Sequence, residues 1–241
     1  MSSGARAALV RAASAYYRPA GQFAWRFAGG KLRADPVFPA LLEEGLLGES
    51  RTLLDLGCGQ GLLAAWLLAA RTCHAREGQW PAHWPPPPPL ERYTGIEIHP
   101  QEVRRARAAF AIDPGLALQI VHGDIRDVDY GAPDAIVILD VLHYLDRAAQ
   151  QQVLQRVRRA LAPQGRLVMR VGDASAGFGC ALSRAVDGTV ALLRRRRWIR
   201  LQCRPVREWV ELLERLGFAV RRRPLKGRTP FVNVLLIAQA R

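Results

Sequence analysis

Thr52-Leu-Leu-Asp-Leu-Gly-Cys-Gly-Gln-Gly-Leu62 is the stretch around which the remaining sequence arranges itself. A short apolar run carrying one acid, Asp55, meets Gly57, Gly59 and Gly61, and an apolar helical pattern begins at once. The run predicts a buried strand over Thr52–Leu56, a tight turn, and a helix from about Gly61 to Arg71. Glycines let the chain turn sharply and let a ligand approach the main chain without Cβ atoms in the way. This is the pattern of a nucleotide-like ligand site at the carboxyl end of a parallel strand.

The spacing narrows the ligand. A dinucleotide fold shows G-x-G-x-x-G, and a phosphate-binding loop ends in Gly-Lys-Ser or Gly-Lys-Thr. Here the run is D-x-G-x-G-x-G, with no lysine. It resembles motif I of the class I S-adenosylmethionine-dependent methyltransferases. That resemblance implies a Rossmann-like α/β sandwich: a seven-stranded, mostly parallel sheet with strand seven antiparallel at the edge, and N-terminal cap helices on the substrate side. It implies S-adenosyl-L-methionine as cofactor and S-adenosyl-L-homocysteine as product. Asp55, Gly57, Cys58, Gly59, Gly61 and Leu62 fall on the cofactor loop.

The next site residues follow in chain order. Tyr93–Ile98 reads as strand two, and its acid Glu97 lies 97 − 57 = 40 residues after Gly57. A ribose-binding acid is expected about 20 residues after such a loop. The Pro-rich insertion over 72–92, with Trp80, Trp84 and prolines at 85–89, accounts for the excess. Five prolines in a row favour extended polyproline geometry, so the insertion is expected as a stiff surface excursion on the amino side of strand two. A carboxylate at Glu97 suits two ribose hydroxyls, with Ile98 beside it; the alternative is an acid capping the helix that begins near Pro100. Strand three, about 117–122, leads into Asp124 and Ile125, which resemble the position that binds the adenine amino group and ring. Strand four, Ala135–Leu139, is apolar enough to be central. It ends in Asp140-Val-Leu-His143-Tyr144, which resembles the D-V-L-H-Y/H segment of many small-molecule methyltransferases. Strand five is expected at 166–171, a helix at 206–216, and strands six and seven at 218–223 and 231–240.

Methyl transfer is an in-line displacement, so the protein mainly positions a nucleophile and removes its proton. His143, with an ordinary pKa near 6.5, is the candidate base; the alternative is a structural histidine beside the cofactor. Tyr144 either orients the acceptor or simply starts a helix. The Asn/Asp-Pro-Pro-Tyr segment of adenine- and glutamine-amino methyltransferases and the Pro-Cys nucleophile of cytosine enzymes are absent. A lysine-based site for ribose methylation is excluded by composition, since Lys31 and Lys226 are the only lysines. The expectation is oxygen or carbon methylation of a small molecule. The whole chain is weakly similar to methyltransferases of aryl-polyene and polyketide-like pigment clusters, which would make the acceptor aromatic or carrier-bound and place the protein in secondary metabolism.

Length, composition and charge bound the rest. The 241 residues, 49% hydrophobic, suffice for one α/β domain. Residues 1–50 read as a helical cap and 51–241 as the methyltransferase domain, in a single folded unit. Helices are expected over Ser3–Tyr17, Gln22–Phe27 and from Asp35-Pro36 to Gly48, with Phe23, Trp25 and Phe27 expected as packing and a substrate wall as the alternative. No signal peptide or membrane span is read. No metal-ligand spacing is read, and the scattered cysteines point to a reducing, cytoplasmic setting. The net charge is +14, and 33 of the 35 basic residues are arginine. Such a balance suits an acidic partner: an acyl carrier protein at Arg194–Arg204, or RNA in the alternative reading of an RNA methyltransferase. A non-catalytic cofactor-binding subunit is the third class.

Overall fold

The computed structural model describes residues 3–76, 78–112, 115–172, 202–225 and 233–241. Its sheet is built from β1 (Thr52–Leu56), β2 (Arg92–Glu97), β3 (Ala117–His122), β4 (Ala135–Leu139), β5 (Arg166–Gly172), β6 (Phe218–Leu225) and β7 (Asn233–Ala240). The spatial order is β3-β2-β1-β4-β5-β7-β6. β1 to β5 pair in parallel, whereas β7 runs antiparallel to both β5 and β6. The Rossmann-like sandwich is therefore present, but β7 is an interior strand and β6 forms the edge. Composition explains the exchange. β7 is buried along most of its length, while β6 carries Arg221, Arg222, Arg223 and Pro224, and a proline-containing, charged strand belongs on an edge.

Alternation along the strands divides the core into two layers. Leu53, Val137, Val168 and Leu235 point to one face; Leu54, Ile136, Leu167 and Leu236 point to the other. The first face is covered by α1 (Ser3–Ala15), α2 (Gln22–Ala34), α3 (Val37–Glu43), α4 (Leu62–His74) and α5 (Pro100–Ala109). The second is covered by α6 (Arg147–Ala160) and α7 (Val206–Arg215). Asp146 caps α6 by accepting the Ala149 amide at 2.8 Å. Asp134 fixes the start of β1 against β4 by accepting the Arg51 amide, the Thr52 amide and the Thr52 hydroxyl, each at 2.9 Å.

The cap departs from the sequence reading in two ways. α2 does not stop before Gly29-Gly30 but continues to Ala34. Packing on α1 outweighs the cost of about 1 kcal/mol per interior glycine, because Ala24, Ala28 and Leu32 are fully buried and Gly29 lies against Ser14. Once those three positions define the inward stripe, helical periodicity turns the aromatics away. Phe23 is 57% exposed, Trp25 38% and Phe27 40%.

The Pro-rich insertion lies on the amino side of β2 as read, but it is anchored. α4 extends to His74, Trp84 and Leu90 are buried, and Trp80 meets Trp84 edge-on at 5.3 Å. Cys58 and Cys73 are free and buried, while Cys203 is disulfide-bonded. Among the described residues no helix is long and apolar enough to cross a membrane.

Polar ties bind the cap to the sheet. The Tyr17 hydroxyl donates to the Gln60 carbonyl at 2.9 Å, and the Trp66 indole donates to the Phe38 carbonyl at 2.8 Å. Arg170 of β5 is buried and donates through Nη1 to Asp35 at 2.6 Å, while Lys31 reaches the other oxygen of Asp35 at 2.8 Å. Burial pushes the Asp35 carboxyl upward, but the Arg170 and Lys31 charges outweigh it and hold the pKa at about 2. A carboxyl depressed from about 3.9 stabilises the fold fully above pH ~4, and loses that contribution as pH falls toward 2, a change of about 2 kcal/mol. Denaturant midpoints of Asp35→Asn should lie below those of the parent near neutrality by about 3 kcal/mol. The gap should narrow as the pH is lowered through that window.

Candidate functional site

The strand order places four carboxyl ends side by side: β3 leads to Asp124, β2 ends at Glu97, β1 enters the glycine loop, and β4 leads to Asp140. Gly57, Gly59 and Gly61 all have positive φ, at 78°, 57° and 80°. A side chain is strained at each of these positions, and two of them are also closed by neighbours. A Cβ on Gly57 would collide with Val141, and one on Gly61 would lie 2.8 Å from Phe110. The Gly57 and Cys58 amides both donate to the Ile96 carbonyl, at 2.8 and 3.0 Å, which holds the loop to β2. Cys58 and Leu62 are buried, so these two side chains support the loop from within.

Glu97 stands next to this loop. Its Oε2 accepts the Gly59 amide at 2.9 Å and its Oε1 accepts the His99 amide at 2.7 Å. The carboxylate is thereby fixed in orientation, and each oxygen keeps a lone pair for a further donor. Ile98, immediately after it, is 50% exposed and presents an apolar surface beside that carboxylate.

Asp55 lies beneath the loop rather than in open space. It is buried and accepts the Tyr93 hydroxyl at 2.5 Å. Burial raises its pKa to about 7; the Tyr93 bond opposes this and the nearby Glu97 adds to it. Asp124 is engaged by Arg126, whose guanidinium reaches Oδ2 at 2.6 Å and whose amide reaches Oδ1 at 2.8 Å. The Arg126 bond, helped by that amide and the guanidinium charge, lowers the Asp124 pKa against partial burial. Ile125 is buried in the second core layer, so the exposed apolar side chain here is Ile98 rather than Ile125.

Asp140 takes φ 59°, uncommon for a non-glycine residue. Arg170 holds it there, donating from Nε to Oδ1 at 2.7 Å and from Nη2 to Oδ2. One buried guanidinium thus spans from Asp35 of the cap to Asp140 at the end of β4. Burial works against the charge on Arg170, but Asp140 and Asp35 more than compensate and raise its pKa.

His143 and Tyr144 lie on a single 3-10 turn, Leu142–Tyr144, with ring centroids 4.2 Å apart. Gln150 of α6 clamps this turn. Its amide nitrogen donates to the carbonyls of Leu142, Leu145 and Gln202, at 3.0, 3.0 and 2.8 Å, and its oxygen accepts Arg204 Nε at 2.6 Å. The Gln202 amide donates to the His143 carbonyl at 2.8 Å. Arg204 also reaches the Arg147 carbonyl at 2.9 Å and Glu208 at 3.7 Å, so it braces this region internally. The remainder of the basic stretch, 194–201, lies outside the described residues, as does the small polar segment 173–179.

Sequence reading named the loop, Glu97 and the His143 turn, and missed their supports: Tyr17, Asp35, Gln60, Tyr93, Gln150 and Arg170. Arg170 carried a signal, because a lone arginine within the apolar run Leu-Val-Met-Arg-Val needs a buried partner. Asp55→Asn keeps an acceptor for Tyr93 while removing the ionisation that burial penalises. The folded carboxyl titrates near 7 and the unfolded one near 4, so the native protein binds the extra proton and stability falls as pH rises between them. The variant should gain about 2–4 kcal/mol at pH 8 in chemical denaturation, and should match the parent near pH 4.

Comparison with known proteins bears on the fold. Residues 54–167 match a family model described as a methyltransferase domain. A curated relative, carboxy-S-adenosyl-L-methionine synthase of Chromohalobacter salexigens, is 32% identical over 130 residues, covering 54% of this chain and 43% of its own length. The chain therefore spans less than half of that relative. Among solved structures, an O-methyltransferase family protein from Burkholderia thailandensis superposes with a TM-score of 0.62 at 20% identity, covering 92% of this chain and 61% of its own. The mitomycin 7-O-methyltransferase gives 0.58 at 25%, covering 85% and 53%. Magnesium protoporphyrin IX methyltransferase from Synechocystis, solved with its demethylated cofactor, gives 0.60 at 18% and covers 94% of both chains. With the glycine loop, the acid at the end of β2 and the interior antiparallel β7 in place, residues 54–167 carry the match to a methyltransferase domain, and the chain shares its fold with the methyltransferases on which it superposes.

Proposed function

We propose that this protein transfers a methyl group from S-adenosyl-L-methionine to an oxygen or carbon of a small-molecule acceptor. The observation that carries the reading is Glu97, fixed by the Gly59 and His99 amides at 2.9 and 2.7 Å beside the glycine loop. Such a carboxylate accepts the two ribose hydroxyls through its remaining lone pairs. Ile98, Asp124 and the Ile125 backbone would hold the adenine. Gly57, Gly59 and Gly61 admit the methionine portion, with Asp55, Cys58 and Leu62 beneath them and Asp140 at the neighbouring strand end.

The cofactor supplies an electrophilic methyl on a sulfonium. The chain's own task is then to hold the acceptor in line and to take its proton. His143 accepts that proton at its imidazole, and Tyr144, 41% exposed, orients the acceptor. Gln150 holds both on their turn. The cap closes over this end of the sheet through Tyr17 and through the Asp35–Arg170–Asp140 bridge. Phenols and carrier-bound acyl chains are the acceptors to screen.

Calorimetric titration tests the cofactor assignment. S-adenosyl-L-methionine and S-adenosyl-L-homocysteine should both bind in the micromolar range, about −8 kcal/mol, and Glu97→Gln should weaken each by about 1–3 kcal/mol. A folded sample that binds neither would remove the reading. His143→Gln should lower turnover about 100-fold or more and abolish the acidic limb of the pH–rate profile, with homocysteine-nucleoside affinity unchanged. A loss of affinity with an intact pH profile would make His143 structural. Because the curated relative is named for making a carboxylated S-adenosylmethionine, the nucleoside recovered after turnover should be identified by mass. S-adenosyl-L-homocysteine follows from methyl transfer, whereas a carboxylated sulfonium would replace this reading.

A further inference from the structure

Phe23 and Phe27 lie one turn apart on an outward face of α2 and are exposed, while Trp25, also exposed, lies on the other flank of the buried Ala24–Ala28–Leu32 stripe. Phe23 and Phe27 stack on one another with ring centroids 6.2 Å apart. Cations surround them: Arg105 lies 4.6 Å over the Phe23 ring, Arg18 lies 5.5 Å over Trp25, and Arg26 and Arg33 are exposed on the same helix. Residues 1–34 contain six basic side chains (Arg6, Arg11, Arg18, Arg26, Lys31 and Arg33) and no Asp or Glu.

We propose that α2 docks this protein onto an anionic lipid surface, with Phe23 and Phe27 entering the headgroup–acyl boundary and Arg26 and Arg33 of the same face meeting lipid phosphates. A stacked aromatic pair left in water on a helix calls for an apolar cover. Phe and Trp flanked by basic residues are the composition of an interfacial helix. Charge selects the cover. A second copy of this chain, at net charge +14, would repel the acid-free segment 1–34, whereas an anionic surface complements it.

The placement of α2 gives docking a consequence. Near its start, the Ala24 carbonyl accepts the Gln60 side chain at 3.3 Å, at the glycine loop. Just past its end, Asp35 joins Arg170 and thereby Asp140. The helix thus runs across the carboxyl ends of β1 and β4, and docking through it sets the candidate site beside the lipid surface. The proposal does not depend on the nature of the transferred group.

Sedimentation with vesicles of phosphatidylglycerol mixed with phosphatidylcholine tests it, against vesicles of phosphatidylcholine alone. The full chain should bind the mixed vesicles, bind the neutral ones weakly, and be released by salt. The double variant Phe23→Gln, Phe27→Gln keeps the net charge and should bind the mixed vesicles at least tenfold more weakly. Circular dichroism should show the helices retained. Bromine-labelled acyl chains should quench the tryptophan fluorescence of Phe27→Trp more strongly than that of the parent. Equal binding by the double variant would reduce the effect to bulk charge and overturn the proposal. So would absence of vesicle binding, or aromatic-dependent binding to polyglutamate without binding to vesicles, which would assign the face to an acidic protein.

Discussion

A backbone that must turn three times through positive φ, at Gly57, Gly59 and Gly61, is the constraint on which this structure rests. The turn is possible only without side chains, and it leaves main-chain groups exposed just where β1 ends. Everything adjacent is shaped to hold it. Val141 and Phe110 fill the space that Cβ atoms would need, the Ile96 carbonyl takes two loop amides, and Glu97 takes a third. Tyr17 reaches the same loop from the cap through the Gln60 carbonyl. Because β1 is central, a fault in this loop would be felt by β2 on one side and β4 on the other.

The polar groups buried around that loop follow one electrostatic logic. Asp55, without a cationic partner in its hydrogen bonding, is driven toward its neutral form and shares a proton-rich environment with Tyr93. Asp35, equally buried, stays ionised because Arg170 and Lys31 face it. The difference is the presence of a guanidinium, not the depth of burial. Arg170 in turn joins the cap to the end of β4, so the helices that cover the site are fastened by charge as well as by apolar packing. Breaking one member of such a buried set leaves an uncompensated charge, which makes the set a constraint on geometry more than a source of net stability.

The α2 face shows how local pattern and global packing can diverge. Aromatic residues in a helix are usually core, but two-residue spacing here cannot put all three on one face. Ala24, Ala28 and Leu32 took the inward stripe because small side chains let α1 and α2 approach closely around Gly29. The larger rings were left in solvent among arginines, and this exposed cationic-aromatic face is the basis of the proposed lipid docking.

The sequence by itself determined the strand–glycine–helix unit at 52–62, the five parallel strands, and the positions of Glu97 and the His143 turn. These were legible because each is written locally: apolar runs of strand length, glycines that no other residue can replace, and an acid at a strand end. The tertiary structure alone decided that β7 lies inside β6, that α2 passes through two glycines, that the Trp84 segment is anchored, and that Ile125 is buried while Ile98 is exposed. It alone decided the supports as well: Arg170 meets Asp35 across 135 residues of chain, and Gln150 meets Gln202 across 52. A pairing of that range leaves no periodic trace, since which buried charge finds which partner depends on how whole layers pack rather than on any run of neighbouring residues.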